Sequence, residues 1–187
     1  MARTPSKEAH DKVLNAALKL IAERGIEGTS MDAIAAASGV SKATVYKHWA
    51  NKDALLIDVI RQPSANHPDF NSGDPRADLV ALLTHMSRKV KNEQLAKIWP
   101  RVIGYAAGHP KFGRALQEYV FKPRREAMLR LLADAAEKSG LRPDIDPELA
   151  ADLLIGPIMH RRWVNEMNVP AELPEQVVDC FWKLFTR

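Results

Sequence analysis

One cysteine, Cys180, occurs in 187 residues. Intramolecular disulfides and cysteine-rich zinc sites are therefore excluded, and the chain suits a reducing cytoplasm. The thiol itself reads as a small core hydrophobe. No apolar run approaches the ~20 residues that a membrane span needs, and the densest, Leu153 to Met159, is interrupted by Gly156 and Pro157. Met1 to Lys12 are polar and charged, with no apolar stretch behind a basic start, which speaks against a secretory signal. A soluble cytoplasmic protein without membrane partners is expected. Catalytic constellations are lacking as well: the sequence has no paired histidines of the HExxH type, no GxSxG elbow, no phosphate loop and no dinucleotide glycine pattern. Neither enzymatic activity nor a metal or cofactor is expected.

What is present is a globular balance, 46% hydrophobic and 27% charged, which argues against a disordered or fibrous chain. The length sustains a core without metal or disulfide staples. A formal net charge of +4 is compatible with nucleic acid but does not by itself indicate it. Apolar residues recur at helical spacing and no alternating β run is found, so the class is all-α.

Helices are expected over Lys7–Arg24, two short stretches within Thr29–Trp49, Lys52–Arg61, a stretch from Asp74 and Pro75 through Val90, Leu95–Ala107, Pro110–Lys138, Pro147–Glu166 and Pro174–Phe185. Asp74 and Asp146, each followed by proline, are N-cap signals. Pro123 and Pro157 each lack a backbone donor and are expected to kink or split their helices. The Pro, Asn, Ser and Gly rich segment Gln62 to Gly73 reads as a boundary between a domain at 1–61 and a second at 74–187.

The stretch TSMDAIAAASGVSKATVYKHW, Thr29 to Trp49, places two short helices around a tight turn at Ser38, Gly39 and Val40. Thr29 or Ser30 can cap the first helix and Ser41 the second; Gly39 tolerates a left-handed turn. The layout is that of a helix-turn-helix. At ~100° per residue, Val45 and Trp49 join Ile34 and Val40 in a core, while Ala43, Thr44 and Lys47 face outward, flanked by Lys42, Tyr46 and His48. No carboxylate lies between Ala33 and Lys52. Such a face suits a phosphate-lined major groove: lysine reads guanine edges, threonine bonds a base or touches a thymine methyl, and a small Ala43 lets the helix sit deep. Tyr46, His48 and Lys52 lie where phosphate contacts would fix register. The charges alone would equally describe a solvated basic face; the turn chemistry favours DNA. The arm Arg3 to Lys7 reads as a frayed terminus, with minor-groove contacts as the alternative.

From Ala9 to Ile60 the chain resembles the DNA-binding domain of the TetR family of one-component bacterial repressors. The resemblance rests on ERG at Glu23 to Gly25, the pair Thr29 and Ser30, and IAAASGVSKATVYKHWANKDALL from Ile34 to Leu56. Trp49 stands where the family more often has phenylalanine. The resemblance implies base or nearby backbone contacts for Lys42, Ala43, Thr44 and Lys47, and phosphate contacts for Thr29 or Ser30, Tyr46, His48 and Lys52, with Ser41 in the same surface. It also implies a second, helical ligand-binding and dimerisation domain, a double-stranded palindromic operator, a homodimer and an unidentified small-molecule ligand. Pro123 to Trp163 is similar to one recurring C-terminal subgroup.

Leu153, Leu154, Ile158 and Trp163, with Val177, Val178, Phe181, Leu184 and Phe185, supply more apolar surface than two terminal helices need for their own packing, and a dimer seam is a reasonable use of it. Met86, Trp99, Ile103, Tyr105, Phe112, Leu116, Tyr119 and Phe121 fall where a ligand cavity is expected, although core packing explains them equally well. The function expected is a sequence-specific transcriptional repressor. An architectural DNA-binding protein would spread its lysines more widely; an activator on the same fold would share every one of these features.

Overall fold

The computed structural model describes residues 7–61, 70–87, 93–142, 144–163 and 169–186, with backbone alone at 93–96 and 163. These residues form α1 (Lys7–Arg24), α2 (Met31–Ser38), α3 (Lys42–His48), α4 (Lys52–Arg61), α5 (Pro75–Ser87), α6 (Glu93–Gly108) and α7 (Pro110–Leu116). A π-helical segment, Gln117–Phe121, leads into α8 (Lys122–Lys138), followed by α9 (Pro147–Trp163) and α10 (Leu173–Phe185). No strand occurs among the described residues; one isolated antiparallel bridge pairs Leu141 with Thr186. The fold is all-α.

The helices pack as two units. One joins α1 to α4 with α6, α7 and the π segment; the other joins α5 with α8, α9 and α10. The packing units are thus not the two consecutive stretches 1–61 and 74–187. The reason is visible in the first core, where Ile98, Trp99, Val102, Phe112, Leu116 and Val120 complete a cluster begun by Val13, Leu14, Ile21, Ile34, Val45, Leu55 and Leu56. In the second unit, Leu79, Leu82 and Leu83 of α5 pack with Met128, Leu131 and Leu132 of α8, Leu154 and Ile158 of α9, and Val178 and Phe181 of α10.

The capping signals act as expected. Asp74 Oδ1 accepts from the backbone N–H of Arg76 (3.0 Å) and Ala77 (3.2 Å), and Asp146 Oδ1 from that of Glu148 (3.0 Å). The span Pro110–Lys138, expected as a helix kinked or split at Pro123, is divided into α7, the π segment and α8, and the widened π turn directly precedes the residue that lacks a backbone donor. By contrast α9 runs through Pro157 without a break.

Candidate nucleic-acid interface

α1 ends where Gly25, at φ +80°, turns the chain and donates its N–H to the Ile21 carbonyl at 3.0 Å. The Arg101 guanidinium of α6 then donates to the carbonyls of Ile21 (2.7 Å) and Ala22 (2.8 Å), placing a cation at the negative end of α1. Tyr105, one turn further along α6, donates its hydroxyl to Asp53 of α4 at 3.1 Å. Burial, with Asp53 adding to it, pushes the Tyr105 phenol up, so it stays protonated and able to donate.

On this base α2 and α3 are set by short-range contacts. Ser30 Oγ accepts from the Ala33 N–H at 3.1 Å and caps α2, which ends at Gly39 with φ +69°. Ser38 Oγ donates to the Ala35 carbonyl (3.0 Å) and accepts from the Val40 N–H (3.2 Å), closing the turn. Ser41 Oγ caps α3 by accepting from the Thr44 N–H at 3.2 Å, and it lies 2.8 Å from Thr44 Oγ1. Ile34, Val45 and Trp49 are buried, with Val40 packed against them. Trp49 Nε1 donates to Asp58 of α4 at 2.9 Å, which gives the indole a partner that a phenylalanine would not need.

Lys42, Ala43, Tyr46, Lys47 and His48 are exposed and Thr44 is half-buried, so one end of the unit carries the ammonium, phenol and imidazole groups expected of a DNA-facing surface. The His48 ring lies 5.6 Å from that of Trp49 and 6.5 Å from that of His10 of α1. Two of the expected phosphate contacts are placed differently. Thr29 is only 2% exposed and donates its hydroxyl to the Gly25 carbonyl at 2.8 Å, so its side chain closes the loop after α1 and has no surface for a phosphate; Ser30 is the exposed member of the pair. Lys52 is half-buried and donates from Nζ to the Ile26 carbonyl at 2.6 Å.

Asp32 was missed by reading the face as free of carboxylates. It precedes Ala33, yet it reaches across from α2 to Lys42 Nζ at 2.6 Å, with the Tyr46 hydroxyl donating to its other oxygen at 3.4 Å. The Lys42 ammonium is held above its ordinary pKa by that hydrogen bond and by the charge of Asp32. Sequence offered an acid in the first turn of α2, a common accompaniment of a helix start, and no sign that it faced α3.

The expected pocket residues are divided between the units. Trp99, Ile103, Tyr105, Phe112, Leu116 and Phe121 pack in or against the first core, whereas Met86 packs against the second and Tyr119 is exposed. Phe112 and Leu116 are fully buried within the first core. The expected dimer residues are divided too. Leu154, Ile158, Val178 and Phe181 belong to the second unit's own core and have no surface to bury against a partner. Leu153 and Leu184 are exposed, Val177 and Phe185 are half-buried, and the Trp163 side chain lies outside the described residues. The arm at 3–6 also lies outside them.

Two short helices fixed around a left-handed glycine, the second presenting lysines, a phenol and an imidazole, define a helix-turn-helix DNA-binding protein. The model for bacterial regulatory proteins of the tetR family matches residues 13–59, and that for the tetracyclin repressor-like C-terminal domain matches residues 68–181. The chain belongs to the TetR family of transcriptional regulators. It is 31% identical to the HTH-type transcriptional regulator YdeS of Bacillus subtilis, over 89% of this chain and 85% of the relative. It is 26% identical to the DNA-binding transcriptional repressor TetR of Mycobacteroides abscessus, over 80% and 79% of the two chains. Among solved structures it resembles FadR of Bacillus subtilis in complex with stearoyl-CoA, with a TM-score of 0.77, 17% identity and coverage of 91% of this chain and 96% of that one. The flavonoid-responsive regulator FrrA gives a TM-score of 0.71 at 24% identity, covering 97% and 98%. At these identities the structural likeness is one of fold.

Proposed function

We propose that this DNA-binding regulator is a cytoplasmic repressor that holds a palindromic operator as a homodimer and releases it when a small molecule binds its C-terminal helices. The exposed donor face of α3 carries the DNA-binding part of this reading, with Lys47 and Thr44 toward bases and Ser30, Tyr46, His48 and Lys42 toward backbone. Leu149 and Leu153 on α9 and Leu184 on α10 are large apolar side chains left exposed, and a second copy is the partner that would cover them. In a symmetric dimer two recognition helices enter successive major grooves about 34 Å apart, so a small change in their separation removes simultaneous contact. A ligand drives that change only through its differential affinity for the two arrangements. Support for a ligand comes from FadR, solved with stearoyl-CoA, and FrrA, described as flavonoid-responsive. Support for repression comes from the relative named a repressor.

Selection of bound duplexes from a randomised pool, followed by affinity measurements at fixed salt against a scrambled duplex, tests this reading. An enriched inverted repeat bound by a dimer is expected. A folded protein that enriches no motif overturns it. With the enriched duplex in hand, stearoyl-CoA and a flavonoid series are the first ligands to assay for release.

A further inference from the structure

Asp32 couples two helices at the surface that meets DNA. One oxygen of its carboxylate accepts from Lys42 Nζ at 2.6 Å and the other from the Tyr46 hydroxyl at 3.4 Å, so donors from successive turns of α3 converge on one acid of α2. An ammonium carries three donors. Asp32 engages one of them, and the Lys42 side chain remains more than half exposed. A phosphate can thus be held by Lys42 without displacing Asp32, but only from the side that Asp32 leaves open. We propose that Asp32 is a specificity-determining positioning residue: it aims Lys42 for the phosphate met in the operator register and repels phosphates met in any other.

Affinity for arbitrary duplex comes almost wholly from phosphate neutralisation, so a fixed negative charge on the binding face weakens every unselected docking. In the operator register, base contacts hold α3 in one place, and there Lys42 bridges carboxylate and phosphate and offsets the repulsion. The alternative role, an acid that favours the N-terminus of α2, would alter folding stability and leave discrimination between duplexes unchanged. An ion pair this exposed adds little to stability in any case. The proposal rests on the reading that Lys42 faces DNA.

Full-length parent, Asp32→Asn, Lys42→Ala and the double variant are to be titrated across a salt series. The probes are the duplex enriched by the parent protein and a scrambled duplex of equal composition. Thermal melting checks that each variant is folded, and Asp32→Glu, which keeps the charge, should keep the discrimination. Asp32→Asn is expected to bind scrambled duplex about three- to tenfold tighter while affinity for the enriched duplex changes about twofold or less, with a salt slope on scrambled duplex steeper by up to about one. In the Lys42→Ala background Asp32→Asn should no longer change the ratio of the two affinities. Equal tightening on both duplexes, no change on either, or the same change of ratio with and without Lys42 overturns the role of Asp32. A Lys42→Ala protein that binds both duplexes like the parent instead overturns the placement of Lys42 at DNA, and so identifies which of the two readings has failed.

Discussion

At position 39 the backbone turns through φ +69° between α2 and α3, a conformation that a β-carbon disfavours although the space around it is open. Gly39→Ala should therefore cost about 1 kcal/mol from backbone strain, read as a lower denaturation midpoint with an unchanged slope. Ser30→Ala removes the cap of α2 and should cost about 0.5–2 kcal/mol in the same measurement. Two neighbours on α3 separate base reading from backbone holding. Lys47→Ala is expected to weaken the selected duplex by about 1–3 kcal/mol and to relax preference at one base pair, whereas Tyr46→Phe should weaken selected and scrambled duplexes by similar factors. Equal behaviour of the two variants would contradict that division. At this scale the caps were legible because Ser30, Gly39 and Ser41 act on atoms within three residues of themselves. Thr29 and Asp32 were not: the hydroxyl turns inward onto Gly25 and the carboxylate reaches ten residues ahead to Lys42, and both directions depend on how the helices pack.

Helix ends were readable wherever a proline, glycine or capping aspartate marked them, as at Asp74, Asp146 and Gly25. The π segment was not. In a continuous α-helix the ring of Pro123 would meet the carbonyl of Tyr119, and that residue lies within the widened turn Gln117–Phe121. Periodicity announces the proline's missing donor but not whether the helix stops, bends or widens to accommodate it. α6 is joined to α1 and α4 by polar contacts that no local pattern announces. Arg101→Ala, which leaves the last carbonyls of α1 without their cation, is expected to cost about 1 kcal/mol, a value reduced by the exposure of the side chain. Tyr105→Phe should lose a similar ~1 kcal/mol by removing the donor to Asp53. Denaturant unfolding of each variant and of the pair checks both values, and because Arg101 and Tyr105 lie one turn apart on α6 the double variant measures their coupling.

For the whole molecule, the leucines of α9 give a paired test of assembly. Leu153 is 43% exposed and Leu184 of α10 is 69% exposed, so Leu153→Glu with Leu184→Glu should keep the parent's helical circular-dichroism signal while shifting sedimentation toward monomer and lowering operator affinity. Leu154→Ala opens a cavity in the second core and should cost about 2–5 kcal/mol of stability. Sequence periodicity assigned both leucines to the same seam, since adjacent positions on a helix differ by only about 100° in direction and the covering helix decides which of them is enclosed. The first core also crosses the chain in a way that bears on synthesis and on engineering. Ile98, Trp99, Val102, Phe112, Leu116 and Val120 complete the cluster around α1 to α4, with α5 encoded between the two contributions. A nascent chain released only as far as Arg61 lacks those six side chains and leaves the apolar sides of α1 and α4 open to water. Full protease resistance of the DNA-binding helices should therefore appear only after residue 120 has cleared the ribosome, and hybrids that exchange the rest of the chain at the segment between α4 and α5 would inherit a mismatched core beneath an intact recognition surface.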